Sequence, residues 1–350
     1  MARILIVGAG VAGLLAAHAL TAAGHRPVVL DKGHQPGGRL ATRTVDGAVF
    51  DHGAQFLTVR DPRVADHVRA WRDAGVAAPF FRGSPDLDAG GPTPVPSPGP
   101  QHAPDAGRDL DADGHLRYRG TPTMRRIAEH LAVGLDLHLG VVAERVTADT
   151  AGAQVSATGR DGAPEARTFT GDALLLTAPL PQTLALLDAG DVRLQTENRA
   201  QLAAIDYEPC IAVLAIPHDR PALPAAGVAR LDGPVVWLTD NQATGASPVP
   251  AVTVHAGGTW SRSHVDTPDA EVARDLLDLA REQLGTEATA VAVHRWRYAR
   301  PTSRAAEDAI LDTACGVPIA FAGDGLTGGR VEGAAVSGLA AADRLIAALD

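Results

Sequence analysis

The first thirty-two residues constrain the chain more than any other stretch. Arg3–Val7 (RILIV) is an apolar run of strand length. It feeds Gly8-Ala9-Gly10-Val11-Ala12-Gly13, a G-x-G-x-x-G. A helical pattern follows to about Ala23, and Gly24 stops it. A second apolar run over 27–30 ends on Asp31, 18 residues after Gly13. The order predicts a βαβ unit that binds a dinucleotide. Gly8 allows the tight turn, Gly10 lets the backbone approach a pyrophosphate, and Gly13 lets the helix pack on the strand. The helix N-terminus offers free N–H groups to phosphate, and Asp31 would accept hydrogen bonds from a ribose. A glycine-rich turn in an unrelated α/β protein shares the glycines. It does not share the ordered strand, helix, strand and acid.

With 350 residues the chain has room for one or two domains, and 45% hydrophobic residues supply a core. The formal charge of −10 argues against a nucleic-acid surface or an anionic-membrane surface. Any anionic ligand then needs a local basic pocket. Cys210 and Cys315 give neither a disulfide framework nor metal spacing, which suits a reducing cytoplasm. The N-terminal apolar run is too short for a signal peptide, and no stretch approaches the ~20 apolar residues of a membrane span. His18, His25 and His34 do not form ligand spacing, so no metal is expected. Lys32 is the single lysine among 31 lysines and arginines.

Further along, residues 61–75 read as a helix capped by Asp61 and stopped by Gly75. From 83 to 113 the pattern fails. Pro92, Pro94, Pro96, Pro98, Pro100 and Pro104 crowd together with glycines, which predicts an exposed or disordered loop, or a lid. Residues 118–124 are expected to open a helix reaching about Ala132. Strands follow at 135–148 and 153–158, and another buried one lies within 168–179, before a helix at 181–187. Runs at 211–216, 235–238, 252–256 and 290–298 suggest a separate antiparallel sheet, with a helix at 269–284. Residues 317–323 (VPIAFAG) form a final buried parallel strand. Residues 332–349 form a helix with apolar positions at helical spacing.

Other motifs decide which dinucleotide. Gly37-Gly38-Arg39, just past Asp31, is foreign to an NAD domain. The run Asp31-Lys32 to Gly37-Gly38-Arg39-Leu40-Ala41-Thr42-Arg43 resembles the FAD domain of glutathione-reductase-type flavoproteins, in their amine-oxidase-like branch. Asp51-His52-Gly53-Ala54-Gln55-Phe56-Leu57-Thr58-Val59-Arg60 narrows the likeness to the renalase-like proteins. GAGVAGLLAA, DKGHQPGGRLATR, LLLTAPLPQTLALL, WSRSHVD, HRWRYARP and AGDGLTGGRVEGAAVSGLAAA match in order along nearly the whole chain. Two departures stand out. The family often carries GDW where this chain has Gly323-Asp324-Gly325, and EGAW where it has Glu332-Gly333-Ala334-Ala335. Two bulky aromatics near the flavin would be missing, which leaves the substrate open.

The resemblance implies an α/β fold, a Rossmann-like FAD-binding domain of glutathione-reductase type with an inserted antiparallel-sheet substrate domain. The FAD-binding domain would comprise 1–60, 118–180 and 305–350, and the substrate domain 61–117 and 181–304. It implies non-covalent FAD held by Gly8, Ala9, Gly10, Val11, Ala12, Gly13, Asp31, Lys32, Gly38, Arg39, Ala54, Gln55, Val142, Gly323, Asp324, Val331, Glu332 and Ala334. The helix after Asp324 would direct its positive end at the reduced flavin. Substrate candidates are Gln55, Phe56, Thr58, Arg60, Trp296 and Tyr298. Arg60 would meet a substrate phosphate or pair with Asp61 or Asp66. Trp296 and Tyr298 share one face of a strand, where core packing is the competing role. His52 and His294 are expected to be buried or capping rather than catalytic. The implied activity is hydride transfer from isomeric dihydronicotinamide dinucleotides, with O2 as acceptor and hydrogen peroxide as product. That chemistry makes an aromatic pyridinium and needs no base. Many flavin amine oxidases hold a water with a lysine over the flavin. Lys32, at the end of the second strand, cannot serve so. Oxidation of an amine or a heterocycle in secondary metabolism is the second reading, and a non-catalytic flavin binder a third.

Overall fold

The computed structural model describes residues 1–82, 93–94, 116–160, 166–229 and 233–350. Two units pack separately: Met1–Gly38, Ala128–Asp206 and Arg300–Asp350 in the first, Arg39–Ile127 and Tyr207–Ala299 in the second. The sequence division differs in assigning 39–60 and 118–127 to the nucleotide-binding domain, and 181–206 and 300–304 to the substrate domain.

The first unit is built on a six-stranded sheet. Its order is Ile310–Asp312, Ile319–Phe321, Ala173–Leu176, Arg3–Val7, Arg26–Leu30, Asp136–His138. All neighbours run parallel except the antiparallel edge pair Ile310↔Phe321. The strands are near-continuous apolar runs because a parallel sheet is covered on both faces. Helices Val11–Ala22 and Val331–Leu349 pack together on it. A Cβ on Gly338 would lie 2.2 Å from the Ala12 carbonyl oxygen, so glycine lets these helices touch backbone to backbone. A three-stranded antiparallel sheet of Val141–Asp149, Gly152–Gly159 and Arg167–Gly171 adds a second layer. The single strand expected over 135–148 is two strands. Gly140, at φ +65, breaks it and sends each half to a different sheet. Residues 168–179 likewise contribute two strands, to the two sheets.

The second unit holds a five-stranded sheet, in the order Val228–Ala229, Val235–Asp240, Val252–Ala256, Tyr207–Pro217, Ala288–Pro301. Tyr207–Pro217 shows the period-2 logic of a covered sheet. Ile211, Val213 and Ala215 pack with Val272, Leu276 and Ala280 of helix Asp269–Leu284. Leu214 packs with Ala48 and Phe50 of the hairpin Thr42–Val45/Ala48–Asp51. Helix Pro62–Asp73 is capped by the Asp61 carboxylate, which accepts from the Arg63 N–H, and ends before Gly75 at φ +70. The helix expected to open at 118–124 begins at Arg125. Arg117–Gly120 is a strand antiparallel to Ala77–Arg82, and Tyr118 also exchanges backbone hydrogen bonds with Leu57. Cross-strand pairing that no local pattern reveals decided this. Of the proline-rich 83–113 loop, all but Thr93–Pro94 lies outside the described residues. Among the described residues no helix is long and apolar enough to cross a membrane.

Candidate functional site

The glycine motif lies in the first unit, at the carboxyl end of the parallel strands, where ligands bind in open α/β sheets. Gly8 adopts φ +121 and donates to the Leu30 carbonyl at 2.8 Å. A Cβ on Gly13 would lie 2.0 Å from the Gly8 carbonyl oxygen, which only glycine tolerates. Gly10 is the N-cap of helix Val11–Ala22. Nothing lies within 4 Å of where its Cβ would be, and no side chain caps this helix. Open space therefore faces unsatisfied helical N–H groups.

Asp31 closes the cradle. Its carboxylate accepts from the Ala9 N–H at 2.7 Å and the Gly33 N–H at 2.6 Å. Burial raises its pKa, and these two donors together with Lys32 and Arg160 pull it back. Asp31 thus pins the turn. Its backbone bonds to His138 and Val141 set Val142 alongside. Gly37 donates to the Ala9 carbonyl, and Gly38, at φ +53, returns to within 3.6 Å of the Gly10 Cα, measured from where its Cβ would sit. Lys32 is exposed.

The C-terminal motif belongs to the same unit. Gly323 follows strand Ile319–Phe321 at φ +131 and donates to the Ser337 hydroxyl at 2.9 Å. Asp324 is buried at the start of helix Asp324–Thr327. Gly328, Gly329 and Arg330 all have positive φ, an unusual run that delivers the chain to helix Val331–Leu349. That helix starts with Val331, the buried Glu332, Gly333 and Ala334, and no side chain caps it. Open space at Gly10, two uncapped helix N-termini and the carboxylate at the end of the second strand fit a dinucleotide.

The remaining candidates lie in the second unit, and Asp51 organises them. Its carboxylate accepts from the Thr42 hydroxyl and from the Met124 N–H at 3.0 Å. Its N–H donates to Asn241 at 3.0 Å, and its carbonyl accepts from Thr253 at 3.0 Å and Gln55 at 2.9 Å. Burial pushes its pKa up to about 6, against the pull of those donors and of Arg125 and Arg119. The Gln55 amide also donates to the Gly53 carbonyl, while its oxygen accepts from Thr239, which accepts from the Trp237 indole. A Cβ on Gly53 would strike the Arg39 carbonyl at 2.0 Å, and the Ala54 N–H donates to that carbonyl at 2.9 Å. The Arg39 guanidinium donates to the Tyr298 and Ala299 carbonyls.

Trp296 donates to the His52 carbonyl at 2.8 Å and stacks on its ring, and Tyr298 packs edge-on to Tyr207. Phe56 packs between Phe81 and Trp237. Thr58 is buried. The fold thus brings Arg39, Ala54, Gln55, Trp296 and Tyr298 together. Arg60 is exposed just before the Asp61 cap; Arg63 bridges Asp61, and Arg69 bridges Asp66.

His52, His255 and His294 cluster around Trp296. Burial, then His294, lowers His52 to about 3, and burial, then Arg43, lowers His294 to about 4. Burial lowers His255 too, though its ring donates to the His52 carbonyl. All three are neutral imidazoles at pH 7. Among the described residues no three His, Cys, Asp or Glu side chains form a metal-holding group.

Asp51, Gln55, Phe80, Arg119, Gly120, Thr239, Asn241 and Thr244 line a small, partly open pocket. Asp51 ends an apolar strand and was visible in sequence only as part of a motif. Arg119, Thr239 and Asn241 carry no sequence signal. Asn241 lies 190 residues from Asp51, and sheet register joins them.

Comparison with known proteins accords with this geometry. The profile for an NAD(P)-binding Rossmann-like domain matches residues 6–71. It spans the glycine motif, Asp31 and Gly37-Gly38-Arg39. A putrescine oxidase from Kocuria rosea is 46% identical over 55 residues, 16% of this chain and 12% of that protein. A 4,4'-diapophytoene desaturase from Staphylococcus haemolyticus is 45% identical over 58 residues, 17% of this chain and 12% of that protein. The chain thus matches only about an eighth of these curated relatives' lengths. A solved structure of putrescine oxidase bound to putrescine superposes with a TM-score of 0.65 at 16% identity. It covers 99% of this chain and 98% of its own, a likeness of fold. The profile of flavin-containing amine oxidoreductases matches residues 77–346, most of the chain, and the protein therefore belongs to that family.

Proposed function

We propose that this FAD-dependent oxidoreductase is a renalase-like oxidase. It takes a hydride from isomeric dihydronicotinamide dinucleotides, passes the electrons to O2 and releases hydrogen peroxide. The observation that carries the reading is the low basicity of the second unit. That unit holds no lysine, and its clustered imidazoles stay neutral well below pH 7 because they are buried. The Asp51 carboxylate is occupied by Thr42 and Met124. Such a site suits a substrate whose oxidation needs no proton acceptor.

The glycine cradle, Asp31, Val142, Asp324 and the start of helix Val331–Leu349 hold non-covalent FAD in this reading. Bound there, FAD supplies the hydride acceptor. The protein's own part is to orient the ring and exclude water. Gln55, Phe56, Thr58, Trp296 and Tyr298 line the substrate's side, and Arg60 meets an anionic group at its edge. The domain division is the glutathione-reductase type: 1–60, 118–180 and 305–350 bind FAD, and 61–117 with 181–304 form the inserted substrate domain. The enzyme works in the cytoplasm.

A second reading is oxidation of an amine or heterocycle, favoured by the family profile and by the missing aromatics at Gly325 and Ala335. Anaerobic mixing separates the two. Dihydronicotinamide isomers are expected to bleach the flavin absorbance within seconds while amines leave it yellow. Bleaching by amines alone would select the second reading. A flavin that neither bleaches would mark a binder without catalysis.

A further inference from the structure

A hydrogen-bond inventory of the second unit's cavity leaves one set of donors over. Gln55 spends both amide hydrogens on the Asp51 and Gly53 carbonyls. Asn241 spends its own on Thr253 and the Ala251 carbonyl. Thr239 donates to Gln55, and Thr244 donates to the Asn241 carbonyl. Arg119 is the exception. Its guanidinium lies over the Phe80 ring, 5.7 Å from the centroid, and near Gly245, yet among the described residues it makes no hydrogen bond and no ion pair. A guanidinium carries five N–H donors in a planar fork and no acceptor. Half-buried, it has lost part of its water, and the Phe80 ring and the charge of Asp51 are what it gains in return.

We propose that this cavity is an oxyanion subsite in which Arg119 binds a carboxylate group of a small molecule through its fork. The wall matches that occupant. Its other side chains have spent their donors, mostly on backbone carbonyls, so the cavity favours a ligand that only accepts. The fork matches the two oxygens of a carboxylate in one plane. Asp51 decides between oxyanions. A singly charged carboxylate meets less repulsion from it than a phosphate dianion does. The neighbouring positive charges that offset Asp51 are Arg119 and Arg125. This subsite goes beyond the hydride-transfer reading and stands whichever substrate the flavin oxidises.

The test is thermal unfolding of the FAD-loaded protein at pH 8 in rising acetate, with chloride keeping ionic strength constant. Acetate is expected to raise the melting temperature of the parent saturably. Arg119→Gln is expected to weaken that response at least tenfold, and Arg119→Lys to fall between, because it keeps the charge and loses the fork. Arg63→Gln, at the surface pair with Asp61, is expected to match the parent. Inorganic phosphate is expected to act more weakly than acetate. A parent with no saturable response overturns the subsite, as does an Arg119→Gln variant with the parent's response. Phosphate acting as strongly as acetate overturns the choice of carboxylate. If Arg119→Gln does not fold, Arg119→Lys carries the test, and a response equal to the parent's overturns the fork. Bleaching assays with dihydronicotinamides are unaffected by these outcomes, so the two proposals fail separately.

Discussion

Asp31 is a half-buried carboxylate and Asp51 a buried one, and they do different work. Asp31 accepts two backbone N–H bonds that pin the glycine turn, so Asp31→Ala removes a support as well as the proposed ribose acceptor. The variant is expected to lose FAD affinity by roughly ten- to a hundredfold, the worth of about 1.5–3 kcal/mol for a charge-assisted bond. Flavin content after dialysis measures it; content equal to the parent's would remove Asp31 from the site. Asp51 titrates near 6 folded and near 3.8 unfolded. Between those values the folded chain holds a proton that the unfolded chain has released. Stability from Asp51 is therefore greatest below pH 3.8 and falls as pH rises to about 6, by about 3 kcal/mol for two pKa units. His52 and His294 act the other way. Their folded pKa values lie below the unfolded 6.5, so they cost stability as pH falls from 6.5. Asp51→Asn keeps an acceptor for Met124 and a donor for Thr42 without the charge. Urea unfolding of both proteins should show the variant gaining about 1–1.5 kcal/mol on the parent between pH 5 and pH 7.5. A constant difference would mean that Asp51 does not titrate there. Arg60→Ala is expected to raise half-saturation for dinucleotide substrates roughly ten- to a hundredfold while changing the limiting reduction rate less. Identical kinetics in parent and variant would make Arg60 a surface residue only.

At the scale of elements, the crossing of helices Val11–Ala22 and Val331–Leu349 deserves a direct test. Both begin at the cradle, and Gly338 is where they touch. Gly338→Ala would push a methyl into the Ala12 backbone, which has no rotamer to escape by. Overpacking of this kind costs about 1–3 kcal/mol, and the shift would move the N-terminus of Val11–Ala22. A lowered melting temperature together with weaker flavin retention is the expected result. A stable variant with full flavin would show that the helices separate without cost to the cradle. The element boundaries teach a related lesson. Residues with a strong periodic pattern, such as 252–256 and 269–284, form their elements as read from sequence. Residues 117–120 do not, because Ala77–Arg82 recruits them as a strand partner, and this pairing sets Arg119 on the cavity wall.

For the whole molecule, cofactor and fold are linked. A ligand that binds only the folded state stabilises it by mass action, by about 2.7 kcal/mol at a hundred times its dissociation constant. Removing FAD should therefore lower the melting temperature, and adding it back should restore it in proportion to the logarithm of its concentration. Acid precipitation should leave a yellow supernatant, because neither cysteine lies in an evident flavin-attachment motif. A yellow pellet would show a covalent link. The formal charge of −10 bears on the substrate as well. An anionic ligand meets an acidic molecule, so it depends on local cations such as Arg119 and Arg60.

The sequence by itself determined the nucleotide cradle. Gly8, Gly10, Gly13 and Asp31 lie within one βαβ unit, and their roles follow from backbone sterics and hydrogen bonding over short chain distances. It also marked Gly323-Asp324 and the helix beyond, whose parallel strand is a plain apolar run. It could not show that Asp51 would be held by Thr42, Met124, Asn241 and Thr253, or that Arg119 would be left with its donors unspent. Those facts depend on sheet register between segments up to 202 residues apart. They also depend on burial, the largest cause moving Asp51 and the three histidines away from their ordinary pKa values. Local pattern carries no information about which distant polar groups will meet, because each contact is decided by the packing of the apolar residues between them.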